Sequence, residues 1–401
     1  MKFTHALATM LLTAVSCEIL DNNPDLTLEE ADSTYVTLEE VAEILADLPL
    51  QKVQMDEVYD AVSSSSDNGY DEEYTMRHLF GNPGAGVGDK EVRSDRYASP
   101  LWKMIEDNVR ARAAVKSPGT WDPDDFLKEL TESDVQIYWP YSENWDGKDM
   151  PIITFDPEDG AKTNIGYRII CENDGNRRVE KIIVDEATAA EKPVWVVNRN
   201  SDAGYTSLEM LRREDPQWGE GGGTIIVHPK GTVGFQSKSK DSMRTLILKD
   251  FTMNRNYDSW FAGASEFFVK IGYLDNFTAS TEAELRLYNP MVTDFMIVVR
   301  RNQVGVAQPF NAILMTDWSS QLESCAFMIT EDDGGTRTEW SSKAKVYVAG
   351  KSYGVEVTIP MNIRDDIVWR GQLSTRWFEE GKGRTWPFGD VELTFDVVEY
   401  F

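Results

Sequence analysis

The chain has 401 residues, of which 41% are hydrophobic and 11% aromatic, and this content favours buried cores over a disordered polymer. Its formal net charge is −28 at pH 7, from 68 acidic and 40 basic side chains. Because a field of that sign repels phosphate backbones, we expect no nucleic acid among its partners. Beyond the N-terminus, no stretch approaches the ~20 consecutive apolar residues that a membrane helix needs.

The N-terminus has the order of a secretory signal: a positive start at Met1-Lys2, a short apolar run, and small residues where the run ends. The closing residues, Ala14-Val15-Ser16-Cys17, resemble the lipobox of bacterial lipoproteins, and the acidic residues after them resemble those of surface-exported lipoproteins of the Bacteroidetes. The resemblance implies that residues 1–16 are a signal peptide and that Cys17 becomes a lipidated (palmitate-bearing) N-terminus. The protein would then be anchored in the outer membrane of the cell envelope, on its periplasmic or its surface face. A plain secretory signal, which would leave Cys17 an ordinary thiol, is the alternative.

Residues 17–33 are acidic and without periodicity, which is typical of a tether. Residues 34–131 predict a small helical unit. Its first helix begins with the capping box Thr37-Leu38-Glu39-Glu40 and continues with apolar residues at i, i+3, i+4 and i+7. Further helical patterns follow at Met55–Val62, Leu101–Val109 and Pro123–Leu130, with Asp122 as the N-cap of the last.

Beyond Asp134 the apolar period changes from helical to two, and short apolar runs separated by turn residues continue to the C-terminus. Residues 132–231 predict a β-rich middle region with long loops, and residues 232–401 predict a β-sandwich domain. The clearest hairpin turns at Ala349-Gly350. The predicted fold class is therefore α+β, with a small N-terminal helical unit followed by predominantly antiparallel β-structure and a C-terminal β-sandwich.

Four aromatic residues lie close together among Asn, Asp and Glu: Tyr138, Trp139, Tyr141 and Trp145. Rings of this kind cover the apolar faces of sugars while amides and acids meet the hydroxyl groups, so the segment predicts a ligand-binding surface. The alternative is that the rings pack between the helical unit and the β-region.

Two acidic loops offer the oxygen ligands that calcium prefers, with Asp156, Asp159, Asp332 and Asp333 as the candidate ligands. Neither loop has the spacing of an EF-hand, and calcium is the only cofactor that the sequence suggests. The chain after Cys17 has two histidines, His78 and His228, so we do not expect a histidine-built metal centre.

Cys171 and Cys325 each lie within an apolar run. An exported chain could oxidise them to one disulfide, and two buried free thiols fit the pattern equally well.

No catalytic motif occurs with the context that its chemistry requires. We therefore hypothesise an exported, lipid-anchored binding module for a glycan, a peptide or another envelope protein, and we do not expect an enzyme. The alternatives are an envelope hydrolase whose site the sequence does not reveal and a structural component of the envelope.

The lipobox interpretation predicts that Cys17→Ala abolishes acylation, because the thiol at this position carries the lipid. The measurement is incorporation of a labelled acyl chain, with Cys171→Ala as the matched control that keeps the label. Protease shaving of intact cells then distinguishes the surface from the periplasm. Acylation that persists in Cys17→Ala would show that the interpretation is wrong.

Overall fold

The computed structural model of the chain describes residues 36–81, 97–115, 121–171, 177–200, 207, 209–210, 213, 243–333 and 335–400. Its helices are α1 (Leu38–Asp47), α2 (Lys52–Asp67), α3 (Met76–Leu79), α4 (Leu101–Val115), α5 (Pro123–Glu132), α6 (Glu186–Glu191), α7 (Glu282–Leu285) and α8 (Thr375–Glu380). Its strands are β1 (Glu73–Thr75), β2 (Val135–Tyr138), β3 (Ile152–Phe155), β4 (Thr163–Cys171), β5 (Arg177–Asp185), β6 (Val194–Arg199), β7 (Met243–Met253), β8 (Ser265–Tyr273), β9 (Met291–Val299), β10 (Gln308–Trp318), β11 (Leu322–Glu331), β12 (Arg337–Val348), β13 (Lys351–Asn362), β14 (Asp366–Ser374), β15 (Thr385–Phe388) and β16 (Val391–Tyr400).

The N-terminal helices cover one face of a first sheet, whose strand order is β1-β2-β6-β3-β4-β5. Only β3 and β6 pair in parallel; the other neighbours are antiparallel. The apolar sides of α1, α2, α4 and α5 share one core with this sheet, which includes Leu45, Val58 and Trp195. Burial of those sides holds the helices in place, since isolated helices of this length are marginal in water.

The helix signals in the sequence correspond to real caps. The Thr37 side chain accepts a hydrogen bond from the Glu40 backbone N–H, and Asp122 accepts from the N–H groups of Asp124 and Asp125. Helix α2 runs further than expected, through the serines at 63–66 to Asp67. Serine is tolerated at a helix end, and the stop comes at Gly69, whose φ of 80° favours glycine.

Two further sheets form the C-terminal sandwich. The second sheet has the order β10-β7-β16-β15, and the third has the order β13-β12-β11-β8-β9, with β14 also paired to β11. Side chains of both sheets, including Phe251, Phe267 and Leu393, share one buried core. In the β12–β13 hairpin, Ala344, Val346 and Val348 are buried as predicted.

A loop between β7 and β8, residues 254–264, joins the sandwich to the face of the first sheet opposite the N-terminal helices. We call it the docking loop. Its Trp260 and Phe261 are buried against a cluster from that face that includes Ile152 and Val196. The Asn198 side chain donates to the Phe261 carbonyl at 3.0 Å, and the Trp260 indole donates to the Lys162 carbonyl at 3.0 Å. Residues from Val36 onward accordingly form one compact unit.

The predicted fold class is confirmed: strands predominate, the sheets are mainly antiparallel, and a sandwich occupies the C-terminal part. The domain boundaries of the sequence analysis stay predictions. Cys17, the signal peptide and the tether lie outside the described residues, as does the boundary at 231. No helix within the described ranges has both the length and the apolar character of a membrane span.

Candidate functional site

An open groove of about 350 Å³ lies between α4 and α5. On α4, Trp102, Glu106 and Arg110 follow one another at a spacing of four residues, so they line one side of the groove. Helix α5 contributes the other side through Asp124, Leu127, Lys128, Thr131 and Glu132, and Phe80 lies at the end of α3. The lining therefore combines aromatic and aliphatic side chains with charged ones, and we call the charged members the rim.

The charges of the rim form a network. Arg110 donates to Glu106 at 3.1 Å and to Asp124 at 2.8 Å, and Lys103 donates to Glu106 at 3.0 Å. The hydrogen bonds from Lys103 and Arg110 hold the pKa of Glu106 below its ordinary value. The groove therefore combines hydrogen-bond donors and the ionised carboxylate of Glu106 with the Trp102 ring.

The aromatic segment at 138–145 does not as a whole form an exposed surface on which a sugar could stack. Tyr138 and Trp139 are each 1% exposed, so neither ring has a face that a sugar can reach. Trp139 packs against Tyr59, Trp145 and Trp195 at centroid distances of 5.9, 5.4 and 6.0 Å. Trp139 is thus buried between the helices and the first sheet, whereas Tyr138 is buried on the other face of that sheet, with Trp260 and Phe261.

The other two members of the segment are partly exposed. Tyr141 donates to Glu186 at 3.0 Å, and the Trp145 indole donates to the Asp149 carbonyl at 3.0 Å. For these two residues, ligand contact stays a prediction.

Three of the four aspartates predicted as calcium ligands accept hydrogen bonds from the protein. Asp156 accepts from the Glu158 N–H and Asp159 from the Ala161 N–H, both at 2.9 Å, which closes the loop after β3. Asp332 is buried and accepts from the Asn362 side chain at 2.9 Å, whereas Asp333 is exposed.

A different set of acidic residues comes together around Glu331, which directly precedes Asp332 in the chain. Asp258, Glu266 and Glu331 each place one carboxylate oxygen within 4.8 Å of the other two, and we call these residues the carboxylate cluster. Among the described residues it is the one group of this kind, and the four predicted aspartates are not in it. Asp258 belongs to the docking loop, Glu266 to β8, and Glu331 to the end of β11.

Burial changes the acidity of this cluster. Loss of hydration, together with contact with Asp258, raises the pKa of Glu331 to about 12. Loss of hydration also raises the pKa of Asp258 to about 7. At neutral pH and without a cation, Glu331 therefore carries a proton.

A second acidic pair, Asp71 and Glu72, lies where the docking loop meets the first sheet. Asp71 accepts from the N–H of Ala264 at 2.8 Å and from the N–H of Glu72 at 2.7 Å. Burial nevertheless raises the pKa of Asp71, because desolvation outweighs these bonds and the nearby charges of Arg300 and Arg301. Burial and the Asp71 charge raise the pKa of Glu72 to about 9.

The possible disulfide is not formed by Cys325, which is a buried free thiol on β11. Its Sγ lies 3.6 Å from the Leu373 carbonyl oxygen, and burial raises its pKa to about 12. The side chain of Cys171 lies outside the described residues. For Cys325, the free-thiol alternative of the sequence analysis holds.

Comparison of the chain with protein-family models, with curated proteins and with solved structures finds no match.

The raised pKa of Glu72 predicts that stability falls as the pH rises. The folded chain keeps a proton on Glu72 up to about pH 9, whereas the unfolded chain loses it near pH 4.5. Unfolding therefore releases this proton between those two values, and the free energy of unfolding decreases across that window. Each such group contributes a slope of the order of 1 kcal/mol per pH unit at most.

Urea unfolding of Glu72→Gln at pH 5, 7 and 9 measures this contribution. The decline should be shallower than in the wild type, and the variant should be the more stable chain at pH 9. Glu191→Gln, an exposed change at the end of α6, should keep the wild-type slope. An unchanged slope in Glu72→Gln would contradict the assignment.

Proposed function

We propose that the chain is an exported, lipid-anchored envelope protein that acts as a binding module and holds an oligosaccharide in the groove between α4 and α5. The observation that carries the proposal is the composition of that groove. Trp102 and Phe80 lie beside fixed charged groups in an open space of about 350 Å³, which is within the usual size range of small-ligand sites.

This composition matches the two kinds of surface that a sugar ring presents. The apolar C–H face of the ring can stack on Trp102, and the hydroxyl groups can donate to Glu106 and Asp124 and accept from Arg110. The salt bridges of the rim place Arg110 next to Glu106 and Asp124, so that donors and acceptors for the hydroxyl groups lie side by side. The anchor at Cys17 would hold the groove at the membrane.

The architecture of the groove favours a saccharide over an extended peptide. Both long walls are helices, whose backbone groups are already paired, so the groove has no strand edge that a peptide could extend. The rim also contains positive and negative side chains that are paired with each other. It therefore does not favour a peptide of either charge.

A hydrolase that uses the carboxylate cluster is less well supported. Glu331 is fully buried, which gives a substrate no access to its carboxyl group. A structural role in the envelope stays an alternative, which the binding measurement with the tryptophan variants also tests.

Trp102→Ala should remove glycan binding while leaving the fold intact, because the ring is only half-buried. Binding of the full mature chain to a panel of immobilised oligosaccharides is the measurement, and a loss of tenfold or more corresponds to one stacked ring, at about 1.4 kcal/mol. Trp340→Ala, a half-buried tryptophan on β12, is the matched control and should bind as the wild type does.

Wild-type chain that binds no oligosaccharide, or binding that survives Trp102→Ala, would contradict the proposal. Co-purification of an envelope protein that neither tryptophan change disturbs would instead favour the structural role.

A further inference from the structure

The carboxylate cluster brings together three side chains from distant parts of the chain, at the edge of the sandwich where the docking loop crosses it. Glu331 is fully buried, Glu266 is 4% exposed, and Asp258 is the member that reaches towards the surface. The charges that act most strongly on Glu331 are those of Asp258, Glu266 and Asp333, all negative. Like charges brought together in a buried place need a compensating partner.

Buried oxygens of this cluster lack such a partner. Neither Oε1 nor Oε2 of Glu331 has a hydrogen-bond donor among the described residues, and neither does Oδ2 of Asp258. The charge of the nearby Arg301 acts on Asp258, but its hydrogen bonds go to the backbone carbonyl of Asp258 at 2.7 Å and to the Glu186 carboxylate at 3.0 Å, not to these oxygens. A buried polar atom without a partner costs free energy, so a ligand or a proton must meet these oxygens.

We propose that Asp258, Glu266 and Glu331 bind one calcium ion. One cation placed among the three carboxylates meets the unpartnered oxygens of Glu331 and Asp258 together. A single proton meets fewer of them: an O–H of Glu331 that donates to Asp258 leaves the other Glu331 oxygen without a donor.

The chemistry and the number of the ligands select the ion. Three carboxylates are an all-oxygen set, which is typical of calcium and magnesium and not of zinc or copper. Magnesium is usually held by one or two carboxylates and keeps several waters, whereas calcium takes more protein oxygens, at about 2.3–2.6 Å and in a more flexible arrangement. Three carboxylates whose oxygens lie within 4.8 Å of one another therefore favour calcium, and water can complete the shell on the side of Asp258.

Backbone contacts hold the ligands in place. The N–H of Asp332 donates to the Glu266 carbonyl at 2.9 Å, and Arg301 fixes the Asp258 carbonyl from the other side. The first bond joins the end of β11 to β8, the second joins the docking loop to the segment after β9, and the Tyr257 N–H donates to the Ser265 hydroxyl of β8 at 3.1 Å. A cation there would link the loop to the sandwich, so binding should stabilise the folded chain.

Thermal unfolding of the full mature chain, after treatment with a chelator and titration with CaCl₂ up to about 10⁻² M, tests the proposal. Calcium should raise the Tm by about 3 °C at a hundredfold excess over the Kd. Isothermal titration should give one ion per chain, and magnesium should give a clearly smaller shift.

Glu331→Gln keeps the shape of the side chain and removes a ligand charge, so the calcium-dependent shift should disappear. Glu339→Gln, the same change at an exposed site on β12, should respond as the wild type does. If Glu331→Gln fails to fold, Asp258→Asn provides the same test at the more exposed ligand.

A wild-type Tm that does not change with calcium would overturn the proposal and leave the cluster as a proton-sharing pair. A full calcium shift that persists in Glu331→Gln or Asp258→Asn would also overturn it. Equal shifts with magnesium and calcium would overturn the assignment of the ion.

Discussion

The docking of the sandwich onto the first sheet is the interaction on which the rest of the structure depends. Trp260 and Phe261 pack on the face of the sheet opposite the N-terminal helices, and the Asp71 carboxylate accepts a hydrogen bond from the Ala264 N–H. The approach is so close that a Cβ at Gly263 would lie 2.8 Å from Oδ2 of Asp71, at a φ of 138° that only glycine adopts readily. Without this contact, both faces would expose large apolar side chains.

The same docking explains why so many acids are buried in a chain that is already strongly acidic. Asp71, Glu72 and Asp258 lie at or beside the docking loop, and each has a raised pKa because the contact removes it from water. Their charges must be neutralised by protons or by a cation. The predicted pH dependence and the proposed calcium site are thus two consequences of one packing arrangement.

The sequence predicted the parts of the fold that depend on local signals. Caps at Thr37 and Asp122 and the alternation around Ala349-Gly350 act over a few residues, and the structure contains all three features. Composition alone did not distinguish a buried aromatic group from an exposed one, so Tyr138 and Trp139 suited a surface as well as a core. The groove could have been anticipated from Trp102, because this large aromatic residue lies outside the apolar face of its helix.

The carboxylate cluster, by contrast, could not be predicted from local signals in the sequence. The sequence drew attention to the loop at Glu331 as a source of oxygen ligands, but Asp258 and Glu266 join it only through strand pairing and the path of the docking loop.

Backbone hydrogen exchange of the full mature chain tests most directly the central claim, that the docking contact joins the first sheet and the sandwich into one unit. Amides of β6, Ala264 and β8 should open with one common free energy, lowered together in Asp71→Ala. Separate opening of the first sheet and the sandwich, unaffected by that change, would contradict it.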